Sequence, residues 1–133
     1  MTSLMAKLRK TLAGQGGHDH AAQGEAEQKY RALMEHASDA ILLATRDGRL
    51  IEANRQAETL FGASKEQLAT MNFTMIHPRA DLERYQKAFA SMWETGHVHV
   101  PDAEIVRADG AVVPVSINAS VIDVGGERVA QGS

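Results

Sequence analysis

The side chains best suited to chemistry in this chain are its six histidines, and two pairs of them are spaced for joint work. His18-Asp-His20 and His97-Val-His99 each put imidazoles two residues apart. On an extended backbone residues i and i+2 share a face, so His97 and His99 would form half of a metal site. Two imidazoles do not complete a coordination sphere, and surface histidines are the better reading. Ser91, Ser116 and Ser120 stand outside any nucleophile-elbow context, and no Gly-rich loop precedes a helix to cradle phosphate. Asp39 or Glu52 would serve acid–base chemistry only if buried with a raised pKa, as in a small α+β cone-fold enzyme. Cysteine is absent, which removes disulfides, thiolate metal sites, cysteine nucleophiles and cysteinyl–flavin adducts. The expectation is a protein that is not an enzyme.

At 133 residues the chain fits one domain. Its 44% hydrophobic and 23% charged residues are those of a globular protein with a packed core. The formal charge of −3 gives no electrostatic reason for a nucleic-acid partner. No segment approaches the roughly 20 apolar residues of a membrane span, and no signal peptide precedes the body. A cytoplasmic location follows by elimination.

The elements that must position these side chains are legible from periodicity. Leu4, Met5, Leu8 and Leu12 alternate with Lys7, Arg9 and Lys10 on a short amphipathic helix over Met1 to Ala13. Gly14-Gln-Gly-Gly-His-Asp-His20 then reads as a linker. A second helix runs from Glu25 to Ala37, with Tyr30, Leu33, Met34 and Ala37 on one face. Ile41 to Ala44 and Leu50-Ile51 are strands around Asp47-Gly48, which predicts a type I′ hairpin turn. Asn54 caps a helix over Arg55 to Phe61, closed by Gly62, and Ser64 with Gln67 forms a capping box ahead of Lys65.

After His77-Pro78, the residues Leu82, Tyr85, Phe89 and Met92 form one stripe of the longest helix, which Gly96 ends. Strands over Val98 to Val106, Ala111 to Asp123 and Arg128 to Gln131 follow, joined at Asp109-Gly110 and Gly125-Gly126. In the middle one Val113, Val115, Ile117 and Ala119 alternate with Pro114, Ser116, Asn118 and Ser120, a sheet wet on one side. The helices between Arg55 and Gly96 must cover its apolar face. The result is an antiparallel sheet with helices packed on one side.

This order of parts resembles a PAS domain. The likeness is carried by Ala32-Leu-Met-Glu-His-Ala-Ser-Asp-Ala-Ile41, Arg46-Asp-Gly-Arg-Leu-Ile-Glu-Ala-Asn54, Ala57-Glu-Thr-Leu-Phe-Gly62, Ile76-His-Pro78 and Arg107-Ala-Asp-Gly110 with Pro114-Val115. The resemblance implies an α+β fold, a five-stranded antiparallel sheet with helices on one face, preceded by an N-terminal flanking helix. Residues 1–24 are then the amphipathic helix and linker, and residues 25–133 the PAS domain. Family members usually continue through an Arg-Asp pair into a coupling helix. Here Gln131-Gly-Ser133 ends the chain, so the effector is expected to have been removed or to lie on another chain.

The resemblance also implies a sensory role in bacterial signalling, of the two-component or cyclic-dinucleotide kind. A small ligand or cofactor would sit between the long helix and the inner sheet face, near Tyr85, Phe89, Met92, Ile105, Val113, Val115 and Ile117. Asn72, Thr74 or Ser116 would supply any polar contacts. Those apolar positions are equally what a plain core contains, and a ligand-free interaction module is the alternative. Heme-binding relatives ligate iron through a histidine on the long helix. The matching position here is Tyr85, with His77 or a strand histidine as the other choices; flavin has no residue arguing for it. Family members often pair through the N-terminal helix, which implies a homodimer through Leu4, Leu8, Leu12, Leu33 and Met34; a frayed terminus with a helical cap on its own sheet is the alternative.

Overall fold

Helix starts in this chain are set by short polar side chains that satisfy orphan backbone amides. In the computed structural model, which describes residues 28, 32–124 and 127–132, Asn54 accepts from the Ala57 N–H to open α1, Arg55–Phe61. Gly62, at φ 67°, closes it. Ser64 and Gln67 form the reciprocal box that opens α2, Lys65–Leu68. Asn72 caps a 3-10 turn at Phe73–Ile76. A second 3-10 turn, Arg79–Asp81, leads into α3, Leu82–Thr95, which stops at Gly96 with φ 92°.

The strands are β1 Leu42–Ala44, β2 Leu50–Ala53, β3 His97–Val106, β4 Val112–Val124 and β5 Glu127–Gly132. They form one sheet in the order β2-β1-β5-β4-β3, and every pairing is antiparallel. β5 therefore crosses back to lie between the first and fourth strands, joining the N-terminal hairpin to the C-terminal one. Residues 32–36 are helical. The segment 1–24, with its expected amphipathic helix and linker, lies outside the described residues, as does the Gly125-Gly126 turn.

Two turns differ from expectation. Gly48 and Gly110 take positive φ, but among the described residues no non-glycine does. A type I′ turn requires positive φ at both central residues. Both connections instead place the glycine after a turn closed three residues back, by Gly48 N–H to Thr45 C=O and Gly110 N–H to Arg107 C=O. The aspartates act locally: the Asp109 carboxylate accepts from the Ala111 N–H at 2.9 Å, and Asp47 accepts from the Thr45 hydroxyl.

The main core lies between the helices and one sheet face, around Leu50, Phe61, Leu68, Met92, Trp93 and Ile105. Val113, Val115 and Ala119 of β4 pack against it. The sheet's other face is not uniformly polar. Leu43 and Val129 are buried in a second cluster with Ile51 and Ile122, and each is one residue out of step with a neighbour in the main core. Strand alternation places that cluster opposite the helices. The wet face expected from β4 is confined to the β3–β4 half, where His97, His99, Pro114, Ser116 and Asn118 are exposed.

Candidate functional site

Four-residue spacing along α3 puts Tyr85, Phe89 and, one step shorter, Met92 on the stripe facing the sheet. Tyr85 and Met92 are buried. They border an interior cavity of about 150 Å3 whose other walls include Ile105 of β3 and Val115 and Ile117 of β4. Phe73 also lines it, stacked on Phe89 at 4.1 Å between ring centroids. Val113 does not border the cavity; it packs on the core one step further along β4.

Among the described residues the lining contains no carboxylate, amine or guanidinium, and only His77, Tyr85 and Ser116 bring polar side chains to it. Ser116 is exposed, its hydroxyl 3.3 Å from His99 Nε2 on the wet face. Asn72 and Thr74 do not border the cavity. The Asn72 amide donates to the Asp47 carbonyl at 3.0 Å, and its Oδ1 accepts from the Thr74 N–H.

His77 and Tyr85 form the polar wall as a unit. Their rings stack with centroids 3.8 Å apart and planes within 9°. Both hold the backbone of one residue, Glu104. Its N–H donates to the Tyr85 hydroxyl at 2.7 Å, and its carbonyl accepts from His77 Nδ1 at 2.7 Å. β3 is an edge strand, so the outward-facing N–H and carbonyl of Glu104 have no neighbouring strand to pair with, and these two side chains satisfy them. Arg84 continues outward, donating to the Tyr85 hydroxyl at 3.0 Å and to the Asp102 carbonyl at 2.9 Å. Burial holds the His77 imidazole below its ordinary value of 6.5; the bond to Glu104 opposes this and the Arg84 charge reinforces it.

Donation from Nδ1 fixes the neutral tautomer, leaving Nε2 as an acceptor. Nε2 has no hydrogen-bond partner among the described residues. The sequence marked His77 only as a possible iron ligand, because nothing in its spacing tells that it stacks on Tyr85. Its position before Pro78, ahead of the long helix, is the one available hint.

The heme reading does not fit this site. Heme or flavin needs roughly 300 Å3 or more, twice the volume present. The Tyr85 hydroxyl is already held by Glu104 and Arg84. His97 and His99 share the exposed face of β3, but no group of three metal-ligating side chains forms among the described residues. The acid–base reading needed a buried Asp39 or Glu52; Asp39 is exposed, Glu52 is half-buried, and neither borders the cavity. Among the described residues no helix is long and apolar enough to cross a membrane.

Known proteins share this arrangement. A family model described as a PAS domain matches residues 38–132. An uncharacterized protein of Azorhizobium caulinodans is 30% identical over 108 residues, which cover 77% of this chain and 15% of that protein. The chain therefore spans a small part of that relative's length. Among solved structures, the PAS domain of an HTR-like protein from Haloarcula marismortui aligns with a TM-score of 0.73 at 18% identity, covering 84% of this chain and 92% of that one. A domain of a sensory box sensor histidine kinase/response regulator from Geobacter sulfurreducens aligns at 0.69 and 16% identity, covering 87% and 98%. At these identities the structural likeness is one of fold.

Proposed function

The chain belongs to the PAS domain family, and from that premise we propose that it is the sensory module of a larger signalling protein, admitting a small molecule to its interior cavity. The observation that carries this reading is the apolar cavity of about 150 Å3 between α3 and the inner sheet face. An apolar space of that size accommodates one benzene-sized molecule. Its walls belong to different elements, so an occupant bears on the helix and the sheet together. Signalling is then a population shift, driven by the occupant's different affinity for two packings of these elements. The effector lies elsewhere in the full protein or on another chain, and the assembly works in the cytoplasm.

The test is thermal unfolding with benzene. At roughly five times its Kd, benzene adds about 1 kcal/mol to the stability of the wild type, a Tm rise of about 3–5 °C. Val115→Phe fills part of the cavity and abolishes the rise. No shift in the wild type, or an equal shift in both proteins, would remove the reading.

A second reading, homodimerisation, is favoured by Leu33, an apolar side chain of the helical segment 32–36 that is 74% exposed. We infer that Leu33 and the amphipathic stretch with Leu4, Leu8 and Leu12 of one copy meet the other.

A further inference from the structure

The cavity's chemistry constrains its occupant further than its size does. An ion entering it meets no counter-charge among the described residues, because none of their lining side chains is acidic or basic except the imidazole of His77, and an unpaired charge in an apolar space is strongly disfavoured. The Tyr85 hydroxyl takes two hydrogen bonds, from Glu104 and Arg84. Ser116 directs its hydroxyl to the His99 side. Among the described lining residues the Tyr85 O–H keeps its own proton to donate, and His77 keeps Nε2, whose role is set by the bond on the other ring nitrogen. With Nδ1 donating to the Glu104 carbonyl, Nε2 accepts.

We propose that the cavity selects an uncharged molecule of about benzene size carrying one O–H or N–H donor, which His77 Nε2 receives. The inference rests on the cavity reading above and adds a specificity-determining residue to it. His77 is buried at 8% exposure and stacked on Tyr85, so the acceptor is pre-positioned. An apolar isostere gains the same burial without the bond. An unpaired donor in the cavity would cost more than it gains, so the presence or absence of the acceptor decides whether a hydroxyl is tolerated.

Phenol and toluene, matched in size, provide the probe pair, with benzoate as the charged member. In the full chain both neutral probes are expected to bind and benzoate is not. In His77→Phe, which keeps a stacked ring, phenol binding weakens about tenfold while toluene affinity stays within about twofold. Toluene thereby reports whether the variant has kept its fold and cavity. In the unmodified protein, long-range 15N NMR gives an independent reading: the His77 Nε2 resonance moves on adding phenol and stays in place with toluene. If toluene binds but phenol leaves Nε2 unmoved, or loses nothing in His77→Phe, the assignment of His77 falls while the cavity reading stands. Comparable binding of benzoate overturns the requirement for a neutral ligand. If neither neutral probe binds, the cavity reading itself falls and this inference with it.

Discussion

Asn54 has no exposed surface, and every hydrogen-bonding position of its amide is used. Oδ1 accepts from Ile41 and Ala57, and Nδ2 donates to the carbonyls of Met34 and Asp39. Its capping role was legible because it sits before a helical run; its bonds to residues 13 to 20 positions earlier were not, since local spacing carries no long-range information. Asn54→Ala is expected to cost about 2–4 kcal/mol in urea unfolding, more than a surface cap alone. Asn54→Asp keeps both acceptors but turns a carboxylate toward two carbonyls, so it should be at least as damaging at neutral pH. His77 sets a second test. Its pKa in the folded protein lies below the unfolded 6.5, so the unfolded chain binds the extra proton between the two values. The stability His77 contributes is complete above about pH 6.5 and is lost as pH falls through the folded value. Urea midpoints measured between pH 5 and 8 should decline on the acid side, and the decline should shrink in His77→Phe.

Helices and strands were readable from their caps and alternation, and α1 occupies the residues that Asn54 and Gly62 mark out. Turn type was not, because Asp-Gly suits both a two-residue type I′ turn and a turn shifted by one residue, in which the glycine follows the two central positions. Strand order also escaped the sequence: β5 sits between β1 and β4, a pairing that no local pattern encodes. The two turn glycines now make different predictions. A Cβ on Gly48 would lie 2.6 Å from Phe73 Cδ1 and 2.8 Å from Asn72 Oδ1, whereas one on Gly110 meets nothing within 4 Å. Gly110→Ala should therefore cost only the positive-φ penalty, about 1–2 kcal/mol. Gly48→Ala adds a clash against the Phe73 ring, which lines the cavity, and should cost clearly more, as chemical denaturation of the pair will show.

For the molecule as a whole, the apolar stripes of α3 and β4 were visible in the sequence, but a stripe does not say whether its side chains meet or leave room between them. Only packing reveals the cavity, and only packing shows Val113 to be core and His77 to be wall. The dimer reading belongs at this scale. Removing residues 1–24 should convert a dimer to a monomer in size-exclusion chromatography with light scattering; an unchanged mass would sink that interface. The grip on Glu104 has a further consequence for how the molecule meets others of its kind. β3 ends the sheet, and such a rim ordinarily offers bare amides and carbonyls to any passing strand. Here Pro101 brings no amide, the Asp102 carbonyl belongs to Arg84, and both groups of Glu104 belong to Tyr85 and His77. That stretch of rim has little left to template with, so the side chains that wall the cavity also guard this sheet edge against fibril-like strand addition.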